Sequence, residues 1–139
     1  MILTEIDHVA IAVHDLEAAI EYYADAFGAE VEHRETVESD GVEEALIKVA
    51  DSYIQLITPT RDDSPIAKFL EQRGPGMHHV CFQTDDVHSD DGKLREAGMQ
   101  VLREEPSPGA GGATVQFVHP RSSGGVLVEL SQPNPGGHE

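Results

Sequence analysis

The chain has 139 residues, 39% of them hydrophobic and 25% charged, a composition and length that fit one globular domain. Its 26 Asp and Glu against nine Lys and Arg give a net charge of −17, which argues against nucleic acid or an anionic membrane as a partner. No apolar run approaches the roughly 20 residues of a membrane span, the acidic start lacks the basic residues of a signal peptide, and the single cysteine permits no internal disulfide, so a cytoplasmic protein is expected.

Ile6-Asp7-His8-Val9-Ala10-Ile11 reads as a short apolar strand carrying one His. Leu16, Ala19, Ile20, Tyr23 and Phe27 then form one apolar stripe, predicting a helix between a cap at Asp15 and a stop at Gly28. Strands are expected over residues 30–37, 42–49 and 53–57, with Asp40-Gly41 and Asp51-Ser52 as turns. Ser64-Pro65 opens a short helix reaching Leu70 or Gln72, and Gly74-Pro75-Gly76 breaks the chain. Met77-His78-His79-Val80-Cys81-Phe82 begins a second copy of the opening pattern. A weaker helix over residues 87–97 follows, interrupted by Gly92, then strands near residues 100–103, 114–118 and 126–130. Gly109 to Gly112 has no Lys-Ser/Thr or helix after it, so it reads as a loop rather than a phosphate cradle. His119 before Pro120 reads as a turn residue, Cys81 as a small core residue, and residues 133–139 as a frayed tail.

The two copies keep register. Seven positions separate His8 from Asp15 and His79 from Asp86, and Gly98 answers Gly28 as a helix stop. Each copy closes on an apolar strand with one polar residue inside it, Gln55 and Glu129, each followed four residues later by a Pro. The expected fold is α+β: a single domain of two βαβββ modules, about 4–60 and 76–132, joined by a linker helix at about 64–72. Units so small are expected to pair their sheets into one open, curved barrel, its concave face holding the ligands.

A lone strand His is usually a satisfied structural residue, and a strand Gln or Glu usually faces solvent. Matched positions in both copies reverse that reading, because burying four such groups without partners is costly. Strand parity lets only one of His78 and His79 point inward, and the repeat selects His79. The set His8, Gln55, His79 and Glu129 suits a borderline divalent ion, Co²⁺, Mn²⁺, Ni²⁺ or Zn²⁺, with two positions open if the ion is six-coordinate. Without a thiolate, a closed structural zinc site is disfavoured.

Five segments carry a resemblance to known proteins: Ile6-Asp7-His8-Val9; Gly41-Val42-Glu43-Glu44; Asp63-Ser64-Pro65-Ile66-Ala67-Lys68-Phe69-Leu70; Gly76-Met77-His78-His79-Val80; and His119-Pro120 with Gly124-Gly125-Val126-Leu127-Val128-Glu129-Leu130. In these, and over nearly all of residues 4 to 132, the chain resembles the vicinal-oxygen-chelate metalloenzymes, and among them the methylmalonyl-CoA epimerases. The resemblance implies His8, Gln55, His79 and Glu129 as metal ligands, Co²⁺ foremost, and Glu44 as a catalytic carboxylate with Glu129 as the second base. Alternation along the strand does not by itself choose Glu44 over Glu43.

It further implies an acyl-CoA substrate whose α-proton is removed from one face and returned to the other. Arg61, Lys68, Arg73 and Arg121 are the candidates for meeting the CoA phosphates. Three rival readings share the fold: glyoxalase-type isomerisation, extradiol dioxygenase chemistry and non-catalytic binding. His-Pro-Arg-Ser-Ser-Gly-Gly-Val before the last ligand argues against the first, the extra ligand Gln55 against the second, and the intact ligand set against the third. Exposed sheet edges favour a homodimer. With only Lys48, Lys68 and Lys93 as lysines, the acidic surface also suits a salt-loaded cytosol.

Overall fold

The computed structural model describes residues 1–134; of the expected tail, residues 135–139 lie outside the described part. In chain order the elements are β1 (Leu3–Ala12), α1 (Leu16–Phe27), β2 (Val31–Val37), β3 (Val42–Val49), β4 (Ser52–Pro59), α2 (Pro65–Arg73), β5 (Gly76–Thr84), α3 (Val87–Glu96), β6 (Ser107–Pro108), β7 (Thr114–Val118) and β8 (Leu127–Gln132). They form two compact units, one of residues His8–His78 and one of Met1–Asp7 with the chain from His79 onward. The boundary therefore cuts through β1, so the first half of that strand belongs with the second module.

In the unit of residues 8–78 the strand order is β2-β3-β4-β1, antiparallel except for the parallel β4/β1 pair. The expected caps form: the Asp15 carboxylate accepts the Ala18 N–H, and Gly28, left-handed at φ 66°, donates its N–H to Ala24 O. Leu16, Ala19, Ile20 and Tyr23 of α1 pack on Ala45, Ile47 and Leu56 on one face of the sheet. Phe27, expected on the same stripe, is 66% exposed; it ends the helix and packs instead against Tyr22 and Tyr23. On the other face Ile66 and Leu70 of α2 cover Ala12, Val42 and Ile57. Ser64 caps α2 by accepting the Ile66 N–H, with Pro65 in its first turn.

In the other unit the order is β1-β5-β8-β7-β6, with β5/β8 parallel and β7 antiparallel to both neighbours. Asp86 caps α3 through the Ser89 N–H. The strand expected near residues 100–103 reduces to one bridge, Val101 with Val118. Fully buried Gln116 supplies the reason. Its Oε1 accepts the Arg103 N–H at 3.0 Å and its Nε2 donates to Arg103 O at 2.9 Å, so a side chain occupies the groups that would extend the ladder. Pro106 and Pro108 then keep the following segment to a two-residue edge strand.

Candidate active site

Pairing register places three of the expected residues on one face of the first unit. Ala10 lies beside Gln55 in the β1/β4 pair, and Leu46 beside Gln55 in the β3/β4 pair. Side chains alternate along a strand, so His8, Gln55 and Glu44 all share that face. All three are buried, Glu44 most deeply. Gln55 Nε2 donates to Glu44 Oε1 at 2.7 Å, while Gln55 Oε1 is buried with no hydrogen-bond partner among the described residues.

Burial pushes the Glu44 carboxyl above the ordinary glutamate range, the bond from Gln55 and the charges of His8 and His33 opposing the rise while Glu35, directly across in β2, adds to it. Glu43 points to the opposite face, where Arg34 bridges it at 2.8 Å and Glu17 at 2.6 Å. Burial distinguishes the two carboxylates that alternation left alike: Glu44 is enclosed, Glu43 is tied up at the surface. His78, also in this unit, packs edge-on against Phe69 of α2 with ring centroids 5.0 Å apart.

The second unit holds the other expected pair. Glu129 lies between Cys81 on β5 and Phe117 on β7. His79, two residues before Cys81, shares their face, and its Nε2 stands 3.1 Å from Glu129 Oε1, the side chains only 7% and 13% exposed. The Phe117 ring meets His79 edge-on at 6.2 Å. Burial, with the Glu129 and Asp7 carboxylates nearby, pushes the Cys81 thiol far up, which keeps it protonated and unreactive, in keeping with its expected core role. Asp7 is buried and accepts the Gln83 Nε2–H at 2.7 Å. Sequence reasoning passed over Asp7 because the corresponding position in the repeat is His78; an acid within an apolar strand was the available signal.

Among the described residues, potential metal-ligating groups are Asp7, His8, His79, Cys81 and Glu129. Two observations fit a divalent cation. Gln55 presents a buried amide oxygen with no hydrogen-bond partner among the described residues. His79 Nε2 and Glu129 Oε1, at 3.1 Å, are spaced as two neighbouring donors on one ion are, since metal–donor bonds of about 2.1 Å at right angles separate the donors by about 3 Å. Nitrogen and oxygen donors without a thiolate match the borderline ions.

The cations expected to meet a CoA moiety are disposed unequally. Arg61 is engaged within its own unit, Nε donating to Asp63 at 2.9 Å and Nη1 to Glu38 O at 2.6 Å. Arg73 lies over the Phe69 ring. Lys68 is carried by α2, and Arg121 by the single turn of 3-10 helix at Pro120–Ser122, which the His119 ring caps.

Residues 7–117 match the model of the Glyoxalase/Bleomycin resistance protein/Dioxygenase superfamily, and the chain belongs to that superfamily. Among its relatives, an ethylmalonyl-CoA/methylmalonyl-CoA epimerase of Cereibacter sphaeroides is 43% identical, over 91% of this chain and 96% of that one. A crystal structure of methylmalonyl-CoA epimerase from Mycobacterium tuberculosis superposes with a TM-score of 0.91 at 39% identity, covering 97% of this chain and 91% of that one. A variant of the Streptomyces coelicolor methylmalonyl-CoA epimerase in complex with 2-nitronate-propionyl-CoA gives 0.90 at 44% identity, with 96% of each chain covered. At such identity and coverage the chain falls within the methylmalonyl-CoA epimerase family and has its vicinal-oxygen-chelate fold.

Proposed function

We propose that the chain interconverts (2R)- and (2S)-methylmalonyl-CoA, holding a divalent ion, Co²⁺ foremost, through His8, Gln55, His79 and Glu129. The observation that carries the reading is the buried Gln55–Glu44 pair: a carboxyl enclosed as a base needs to be, next to an amide oxygen left for a cation. The relatives named for this activity support the substrate.

The reaction requires a weakly acidic C–H, between a thioester and a carboxylate, to lose its proton and regain one on the opposite side. A divalent ion held by His8, Gln55, His79 and Glu129 would supply Lewis-acid stabilisation of the negative charge that develops on the substrate oxygens. Glu44 takes the proton on one face. Its buried carboxylate is a stronger base than an exposed glutamate, since desolvation disfavours the charged form it must leave behind. Glu129 returns a proton on the other face, its orientation set by His79, Cys81 and Phe117. In the reverse direction the two exchange roles. The same reading includes a cytoplasmic homodimer: the one cysteine, free and buried, suits a reducing compartment, and exposed Tyr22 and Phe27 offer apolar surface to a second copy.

The test is α-proton exchange in D₂O with methylmalonyl-CoA, run beside assays with the methylglyoxal–glutathione hemithioacetal and with a catechol. Deuterium entering C2 together with inversion is expected; turnover of either other substrate, without exchange into methylmalonyl-CoA, overturns the reading.

A further inference from the structure

Phe117 lies in the second unit among the groups that present His79 and Glu129, and no motif in the sequence marked it. Three observations converge on it. In the β7/β8 register it is the residue directly beside Glu129, so its ring walls one side of that carboxylate while Cys81 walls the other. The ring stands nearly perpendicular to the His79 imidazole, at 86° and 6.2 Å, the edge-to-face geometry that aromatic pairs prefer. The Arg103 guanidinium sits over the same ring at 5.2 Å.

Arg103 is itself held firmly. Gln116 takes both its backbone N–H and its carbonyl, and its Nη1 donates to Ser107 Oγ at 2.9 Å. Gln116 is also the residue before Phe117 in β7, and it ties Asp91 of α3 to the same point through a bond of 2.8 Å. The ring is therefore fixed along its strand by the sheet and over its face by a clamped cation.

We infer that Phe117 is a positioning residue: backed by Arg103, its ring sets the plane of the His79 imidazole so that Nε2 and Glu129 Oε1 converge on one bound cation. This rests on the metal-dependent reading above. An imidazole ligand has a free ring rotation that must be frozen before it binds a metal at a defined angle, a task often given to a hydrogen-bonded carboxylate. Here a packed aromatic ring adds to the restraint. Loss of such outer supports characteristically lowers metal affinity about 10- to 100-fold.

The test is direct titration of the metal-free full-length chain with Co²⁺, read by visible absorption and by bound-metal stoichiometry, alongside Tm. Phe117→Leu, which keeps the bulk and removes the ring, is expected to weaken cobalt binding about 10- to 100-fold. Phe117→Tyr is expected to stay within about threefold of the parent, having kept the ring. Val115→Ala, on the same strand and deeply buried, controls for destabilisation: it should lower Tm and leave cobalt affinity in place. Equal affinity for the parent and Phe117→Leu overturns the inference while the metal reading stands. A fall in affinity for Val115→Ala as large as for Phe117→Leu also overturns it, by reducing the effect to general loosening. Failure of the parent itself to bind Co²⁺ overturns the metal reading and this inference with it.

Discussion

Gln55 donates its amide N–H to Glu44 across 2.7 Å and keeps its own carbonyl oxygen buried without a partner among the described residues. One side chain thus steadies the proposed base and offers a donor to the proposed ion. Gln55→Leu removes both. Cobalt affinity should fall by about an order of magnitude or more. The bond from Gln55 holds the Glu44 pKa down, so its loss should move the acid limb of the kcat/KM profile to higher pH. A variant with an unmoved limb would separate the two residues functionally.

Burial separates Glu44 from its neighbour Glu43, and activity should follow. Glu44→Gln is expected to lower α-proton exchange about 10²- to 10⁴-fold, the usual worth of a positioned base, with bound metal retained. Glu43→Gln gives up only the surface bridge to Arg34, worth less than about 1 kcal/mol, and should exchange protons at the parent rate. Isotope incorporation at C2, measured by NMR, checks both.

The raised Glu44 pKa also fixes a pH dependence of stability. A carboxyl whose folded pKa lies above its unfolded value favours folding only while protonated; that contribution is complete below the unfolded value, about 4.3, and disappears as pH climbs through the folded value. In metal-free protein, Glu44→Gln should therefore match the parent in Tm at low pH and exceed it increasingly towards neutrality. A Tm gap that stays constant with pH would contradict the assignment.

Gly41 turns the chain into β3 at φ 66°, and a methyl group there would sit 2.8 Å from the Arg61 Cζ atom. Gly41→Ala should cost about 1–3 kcal/mol, combining left-handed strain with a collision against a guanidinium held by Asp63 and Glu38. Adding Arg61→Ala removes the collision and leaves the backbone strain, so the double variant should differ from Arg61→Ala alone by less than Gly41→Ala differs from the parent. Urea unfolding gives each difference.

Cys81 is buried with its thiol pKa pushed far up, so it should resist thiol reagents in the native protein and react within the dead time once urea unfolds the chain. Native-state labelling at a rate independent of denaturant would contradict the burial.

Much of this architecture was legible because the chain states it twice. Capping residues Asp15, Asp86 and Ser64 act as their chemistry dictates, and of two adjacent imidazoles the echo of His8 picks His79, the one that stands beside Glu129. What escaped was set by tertiary contacts that leave no periodic trace. Residues 100–103 are suitable for a strand, yet the Gln116 side chain takes the hydrogen bonds a ladder would use. Phe27 continues the apolar spacing of α1 but lies beyond the sheet that buries the rest of its stripe. Glu43 and Glu44 are indistinguishable by alternation because both strand faces are largely apolar; only the position of Arg34 and the depth of the sheet tell them apart.

The division of β1 has a consequence for how the chain acquires its structure. Residues 8–78 are contiguous, and their strands can all pair as soon as β4 has been made, whereas Leu3–Asp7 must await β5, whose Gln83 bonds to Thr4 and Asp7. During synthesis Leu3–Asp7 is thus a waiting edge until β5 is made, about seventy residues later. The loop so closed is long, so pairing this strand costs more chain entropy than the local pairings of its neighbours.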